Sequence, residues 1–253
     1  MENQFARSEL LLGPDSTARL AGVSVAVFGL GGVGSFVAEA LARAGIGRLV
    51  LVDHDVVTPT NLNRQLVALH STIGRAKVDV MRERILDINP SAKVDAYPVF
   101  FGPESADVVP FSSLSYVADC VDTVSAKLLI IERARAAGVP VLSSMGTGNK
   151  LDASRFAVAS IEDTEGCPLA RVMRRELRKR GISGVKVLFS REPPVAMARD
   201  VAATTSDGAM AENRKAPPPG SVSFVPSVAG LLIAGEIVRE LLMIGGSPRP
   251  YRA

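Results

Sequence analysis

Six residues, Gly29-Leu30-Gly31-Gly32-Val33-Gly34, join a β-branched run over residues 23–28 to a helix-forming stretch over residues 35–44. A strand that turns through glycines straight into a helix lets an anion approach the backbone. The helix N-terminus then offers it unpaired N–H groups and a partial positive charge. Strand before and helix after is the context a nucleotide loop requires. Asp53 closes the next apolar strand, Arg48–Val52. It lies about 20 residues beyond the loop, the usual spacing for a ribose-binding acid. The loop alone does not separate NAD from ATP.

The surrounding pattern sets the fold class. Strands are expected over residues 94–97, 116–118 and 139–143. Helices are expected over 76–88, where Val78, Met81, Ile85 and Ile88 recur before Asn89-Pro90, and over 128–137, ended by Gly138. Alternating strands and helices imply right-handed crossovers in a doubly wound, mostly parallel, Rossmann-like α/β sheet. The hydrophobic fraction is 47% with only 5% aromatic, so the core is aliphatic, as parallel strands covered on both faces require. Residues 1–22 are read as an N-terminal helical segment and 23–147 as the nucleotide-binding domain. Residues 148–253 are read as an extended C-terminal region of the same fold. There a strand is expected over 156–161, a helix over 169–180, a strand over 185–189 and a mobile loop over about 199–220. A final helix is expected to be capped by Ser227 and to stop at Gly245-Gly246.

Two cysteines, Cys120 and Cys167, supply neither a disulfide framework nor a four-thiolate zinc site. No stretch resembles a signal peptide, so a cytoplasmic location is expected. The apolar run 228–244 carries Glu236, Arg239 and Glu240 on one stripe. It is read as a largely buried amphipathic helix, and no membrane insertion is expected.

The next motifs favour ATP. Asp53-His54-Asp55 leads to Asn61-Leu62-Asn63-Arg64-Gln65, and Gly74-Arg75-Ala76-Lys77 opens the following helix. Cations near a triphosphate neutralise phosphate oxygens as pyrophosphate leaves, and Lys77 is expected at a solvent-accessible position for this purpose. Asp119-Cys120-Val121-Asp122 follows another apolar strand, which puts Asp122 at the carboxyl edge of the sheet. A carboxylate there can hold Mg²⁺ with phosphate oxygens, or cap the helix that starts near Val124. Lys127, one turn on, is a candidate for the same place.

These motifs resemble the ThiF/MoeB/HesA superfamily, relatives of the ubiquitin-activating enzymes, over roughly residues 7–144. The resemblance implies adenylation of a carboxylate with Mg-ATP. It places Asp53 at the ribose, Arg64 and Lys77 at the phosphates and Asp122 at magnesium, with Asn61 ordering the triphosphate. Gly29, Gly31, Gly32, Gly34, Asp55 and Gln65 complete the nucleotide contacts, with Arg64, Lys77 and Asp122 acting in catalysis. Arg7 resembles the arginine that members lend across a homodimer interface.

The superfamily divides by substrate. Members that activate a ubiquitin-like sulfur carrier commonly bear paired Cys-x-x-Cys motifs, and this chain has none. Residues 167–180 instead hold six basic residues in the ten from Arg171. On a helix, Arg171, Arg174, Arg175 and Arg178 share one face opposite Leu169, Met173 and Leu177. Such a single-sign face suits a phosphate backbone. This segment, with Phe224 to Leu241, is similar to the branch that dehydrates threonylcarbamoyladenosine at position 37 of tRNA. That likeness implies adenylation of the threonine carboxylate and internal attack by the carbamoyl group, with tRNA as partner. It leaves room for a sulfur-relay or cysteine-desulfurase partner. Where some members have a cysteine, this chain has Phe224-Val225-Pro226-Ser227-Val228, so Cys167 is the remaining candidate nucleophile, Cys120 being read as packing on a buried strand. The alternatives are adenylation of a sulfur-carrier protein and an NAD-binding module.

Overall fold

The computed structural model describes residues 3–196 and 219–244. The glycine stop at 245–246 and most of the loop expected over 199–220 lie outside them. Strands β1 (Ser24–Phe28), β2 (Arg48–Val52), β3 (Lys93–Tyr97), β4 (Tyr116–Asp119), β5 (Val141–Ser144), β6 (Phe156–Ser160) and β7 (Lys186–Ser190) form one sheet. Its order is β3-β2-β1-β4-β5-β7-β6. All neighbours run parallel except β6, which pairs antiparallel with β7 at the edge. The doubly wound, mostly parallel α/β expectation is met.

Alternation along β1 shows how the aliphatic sequence builds two layers. Val25 and Val27 face a core shared with Leu41 and Ile233, while Ala26 and Phe28 face the opposite one with Ile130 and Phe101. The first layer carries helices α3 (Gly34–Ala44), α4 (Lys77–Ile88) and α7 (Phe224–Leu242); the second carries α5 (Val124–Ala136). Helix α6 (Pro168–Lys179) packs Met173 and Leu177 against Val187 and Phe189 in a third cluster. Two short helices, α1 (Ala6–Leu12) and α2 (Ser16–Ala21), precede β1, and α2 buries Leu20. Phe28 meets Phe101 edge-on at 4.8 Å and stacks on Phe111 at 5.6 Å. Truncating Phe28 to alanine would cost about 3–5 kcal/mol.

One expectation for α7 needs correction. The helix begins at Phe224 rather than after Ser227, whose hydroxyl instead donates back to Ser223 O at 2.7 Å from within the first turn. Its charged stripe is divided, with Arg239 exposed and Glu240 half-buried. Glu236 is buried and pairs with Lys186 and Arg239, and Glu240 accepts from Tyr116 Oη at 2.7 Å. Phe224, Leu231 and Leu232 also face outward. No helix among the described residues is long and apolar enough to cross a membrane.

Register brings the site together. Phe28 pairs with Val52 on one side and with Asp119 on the other, so β1, β2 and β4 end level. Chain order reverses between β1 and β4, the crevice at which doubly wound sheets bind ligands.

Candidate active site

The Gly loop leaves β1 with Gly29 at φ +83°, a conformation that side-chain-bearing residues rarely adopt. Its N–H donates to Val52 O at 2.8 Å. A Cβ on Gly29 would lie 2.9 Å from Cys120 O, and one on Gly34 only 1.7 Å from Gly29 O. Gly34 thus lets α3 start directly against the strand. Gly31 differs, because a Cβ there would meet only Gln65 Nε2 at 3.9 Å. The fold leaves Gly31 room; only a ligand on the loop would take it up.

Above the loop opens a cavity of about 350 Å³. Every residue expected at the nucleotide lines it except Gly34, which packs beneath, and Arg7. Arg7 is exposed on α1, away from this chain's own cavity.

Asp53 is buried, and its Oδ2 accepts the Leu30 N–H at 2.6 Å while Oδ1 accepts that of Asp55 at 2.8 Å. The carboxylates of Asp53 and Asp55 and the His54 ring lie close enough to suggest a cation cluster, but the acids are engaged elsewhere. Asp55 Oδ2 accepts from Lys77 Nζ at 2.7 Å. Lys77 is therefore not at a solvent-accessible position; only 4% of its side chain is exposed. Lys77 opens α4, and although buried it lines the cavity beside its partner Asp55.

Asn61 is buried in a short turn, its Oδ1 accepting Thr58 N–H at 3.3 Å. Arg64 donates only to oxygens of Thr60 and Asn63, each at 2.9 Å, and pairs with no carboxylate among the described residues. Burial pulls its pKa down from the ordinary guanidinium range. Gln65 Oε1 is the one buried side-chain acceptor without a donor among the described residues. A cation short of anions and an acceptor short of a donor face the same space.

Asp122 is exposed at the cavity wall, and only the Thr123 hydroxyl approaches its Oδ1, at 3.3 Å. It does not cap α5: Thr123 holds that position, and no side chain caps the helix. Lys127 does not point to the cavity either. It is fully buried and donates to Asp119.

Several cavity residues carry no motif signal. Phe100 is half exposed and meets His54 edge-on at 5.2 Å. Thr147 comes from the loop after β5, Ser221 from the chain entering α7 and Pro226 from the first turn of that helix. Asn63 Nδ2 donates to Ser221 O at 3.0 Å, which joins the two walls. Only tertiary contact puts these residues here.

On α6, Arg171, Arg175 and Arg178 are exposed. Arg174 turns inward and donates to Thr164 O at 2.6 Å and Thr164 Oγ1 at 2.8 Å. Glu176 pairs with Arg175, Lys179 and Arg180. Cys167 is buried just before α6, and burial pushes the Cys120 thiol up, away from nucleophilic use.

A glycine loop, a buried acid and cations gathered around one cavity at a topological switch point are the make-up of a nucleotide-binding α/β protein. The chain belongs to the ThiF family, whose profile matches residues 4–252. It is 45% identical over 243 residues to the tRNA threonylcarbamoyladenosine dehydratase of Bacillus subtilis, covering 96% of both chains. The crystal structure of E. coli tRNA N6-threonylcarbamoyladenosine dehydratase, TcdA, in complex with ATP superposes with a TM-score of 0.83. Its identity is 31%, and the match covers 95% of this chain and 94% of that one. Similarity to the adenylyltransferase and sulfurtransferase UBA4 of Candida glabrata is 36% over 132 residues, 52% of this chain and 30% of the relative.

Proposed function

We infer that this chain is an ATP-using enzyme that dehydrates N6-threonylcarbamoyladenosine in tRNA. The observation that carries the nucleotide part is the single cavity in which Asp53, Arg64, Lys77 and Asp122 converge on the Gly loop. Asp53 holds the ribose; Arg64 and Lys77 draw charge from the phosphates as pyrophosphate leaves. Among the described residues Asp122 has neither a cationic partner nor the paired backbone donors that occupy Asp53, and one carboxylate plus phosphate oxygens suits Mg²⁺. Bound there, the ion would neutralise phosphate charge. Asn61 and Gln65 orient the triphosphate.

The threonine carboxylate attacks the α-phosphorus and releases pyrophosphate. The carbamoyl group then attacks the activated carbonyl and expels AMP, so one water's worth of atoms is lost overall. Both reacting groups belong to one nucleoside, which makes the second step intramolecular and lowers its barrier. What supports tRNA over a sulfur-carrier protein is the full-length likeness to the Bacillus subtilis dehydratase, against half-length likeness to the sulfurtransferase. The exposed arginines of α6 fit a phosphate backbone. Residues 23–147 form the adenylating unit, residues 1–22 precede it, and 148–253 supply the substrate side. The outward Phe224, Leu231 and Leu232 of α7 fit a homodimer, the arrangement in which Arg7 would serve its neighbour. A cytoplasmic location and a sulfur-relay partner belong to the same reading.

The test supplies the purified chain with Mg-ATP and either modified tRNA or a Gly-Gly-terminated carrier protein. Pyrophosphate exchange and nucleoside mass spectrometry are the readouts. Exchange with tRNA and loss of water from the nucleoside are expected; exchange with the carrier alone would overturn the tRNA reading.

A further inference from the structure

The proposed chemistry leaves one fully buried cation without a task. Lys127 Nζ donates to Asp119 Oδ2 at 3.0 Å, Ser143 Oγ at 3.3 Å and Ser144 O at 2.7 Å. Ser143 Oγ donates to the same Asp119 Oδ2 at 2.5 Å. All three side chains are inaccessible to solvent. A buried ion pair is weak ground for stability, because apolar replacements of similar shape often fold as well or better. Its importance must come from what it holds in place.

The remaining oxygen, Asp119 Oδ1, accepts the Val121 N–H at 3.3 Å. That bond closes the turn through Cys120 and Val121 to Asp122, all of which line the cavity. Ser144 O, gripped by the same ammonium, starts the segment that brings Thr147 to the same cavity. The turn also lies against the Gly loop, since Cys120 O would be 2.9 Å from a Cβ on Gly29.

We propose that Lys127 and Asp119 are positioning residues that hold the Asp122 turn and the Thr147 loop in fixed relation around the nucleotide. The inference rests on the ATP reading of the cavity. It assigns the pair no contact with substrate and no proton transfer.

Two double variants of the full chain separate positioning from bulk stability. Lys127→Met with Asp119→Asn and Lys127→Met with Asp119→Leu both remove the two charges, so neither strands a buried ion. Only asparagine keeps an acceptor for Val121 N–H. Melting temperature, hydrogen exchange of residues 119–124 without nucleotide, ATP affinity with and without Mg²⁺, and turnover are measured. The leucine pair is expected to stay folded while its turn exchanges faster. Its Mg-ATP affinity and turnover should fall about 10-fold to 100-fold, the usual effect of removing such a supporting shell. The asparagine pair recovers most of that loss. A leucine pair that matches the asparagine pair in exchange and affinity overturns the proposal. Should either double variant fail to fold, Ser143→Ala is read the same way: slower exchange or unchanged affinity counts against, a smaller loss of the same kind counts for. Asp122→Ala is the separate control. If it binds and turns over Mg-ATP like the parent, the reading of the cavity fails; if it loses both while the leucine pair does not, only the positioning role fails.

Discussion

Asp53 clasps two loops at once, accepting Leu30 N–H through one oxygen at 2.6 Å and Asp55 N–H through the other at 2.8 Å. The acid expected at the ribose is therefore also a structural tie between the Gly loop and the loop after β2. Asp53→Ala should lower stability by about 1–3 kcal/mol for each backbone donor left buried without a partner. Asp53→Asn keeps an acceptor and should melt closer to the parent, yet bind ATP more weakly by about tenfold, the loss of one charged hydrogen bond. Thermal melts and calorimetry measure the two effects separately. Unchanged ATP affinity in Asp53→Asn would remove the ribose role and leave only the tie.

Lys77 and Asp55 make an asymmetric pair, with 4% of one side chain exposed and 51% of the other. Removing the lysine frees a carboxylate already half in water, so the lost ion pair itself should cost at most about 1 kcal/mol. Turnover should fall by about 100-fold to 1,000-fold, the scale seen when one preorganised donor to a developing charge is deleted. Single-turnover release of AMP from Lys77→Ala, beside its melting curve, checks both numbers. Loss of fold rather than of rate would recast Lys77 as structural.

How much of this was legible follows the local chemistry of each segment. The Gly loop, Asp53 and Asp122 can be read because each sits where a strand ends, and strand ends in a parallel sheet lie together. Lys127 misleads because helical spacing places it one turn beyond Asp122 without saying which way its stem runs. Burial against Asp119 and Ser143 decides that, and it is a tertiary fact. Phe100, Thr147, Ser221 and Pro226 are unreadable for the same reason. Ser227 looks like a cap because serine before an apolar run usually is one, but here helix α7 starts earlier, with Pro226 inside its first turn.

Gly31 and Gly34 share a motif but not a reason. Gly34→Ala would drive a methyl to 1.7 Å from Gly29 O and should displace α3 from the strand. Gly31→Ala meets nothing closer than 3.9 Å, so it should melt like the parent and lose ATP affinity by steric exclusion. Circular dichroism melts and ATP titration of the two variants give the comparison. If Gly31→Ala binds ATP as the parent does, no phosphate approaches that position.

On α6, Glu176 decides which cations remain for tRNA. Hydrogen bonds from Lys179 and Arg180, and a further one from Arg175, hold its pKa down at about 2. A lowered carboxylate pKa means that its contribution is complete above the ordinary 4.5 and is lost only as pH falls through about 2. Throughout the neutral range Glu176 thus keeps Lys179 and Arg180 occupied, while Arg174 is tied to Thr164. Arg171 and Arg178 join no ion pair among the described residues and are exposed. Replacing both with glutamine should flatten the salt dependence of tRNA binding by about one to two units of slope, near 0.7–0.9 per phosphate contact. Arg174→Gln should instead lower stability, with little change in that slope. Glu176→Gln should release Arg175 and Lys179, with Arg180 still held by Glu132, and tighten tRNA binding, an effect that should not vary between pH 6 and 8, far above the lowered pKa of Glu176. Filter binding across a salt series at both pH values tests the assignment. An unchanged slope in the Arg171/Arg178 pair would return this helix face to plain solvent.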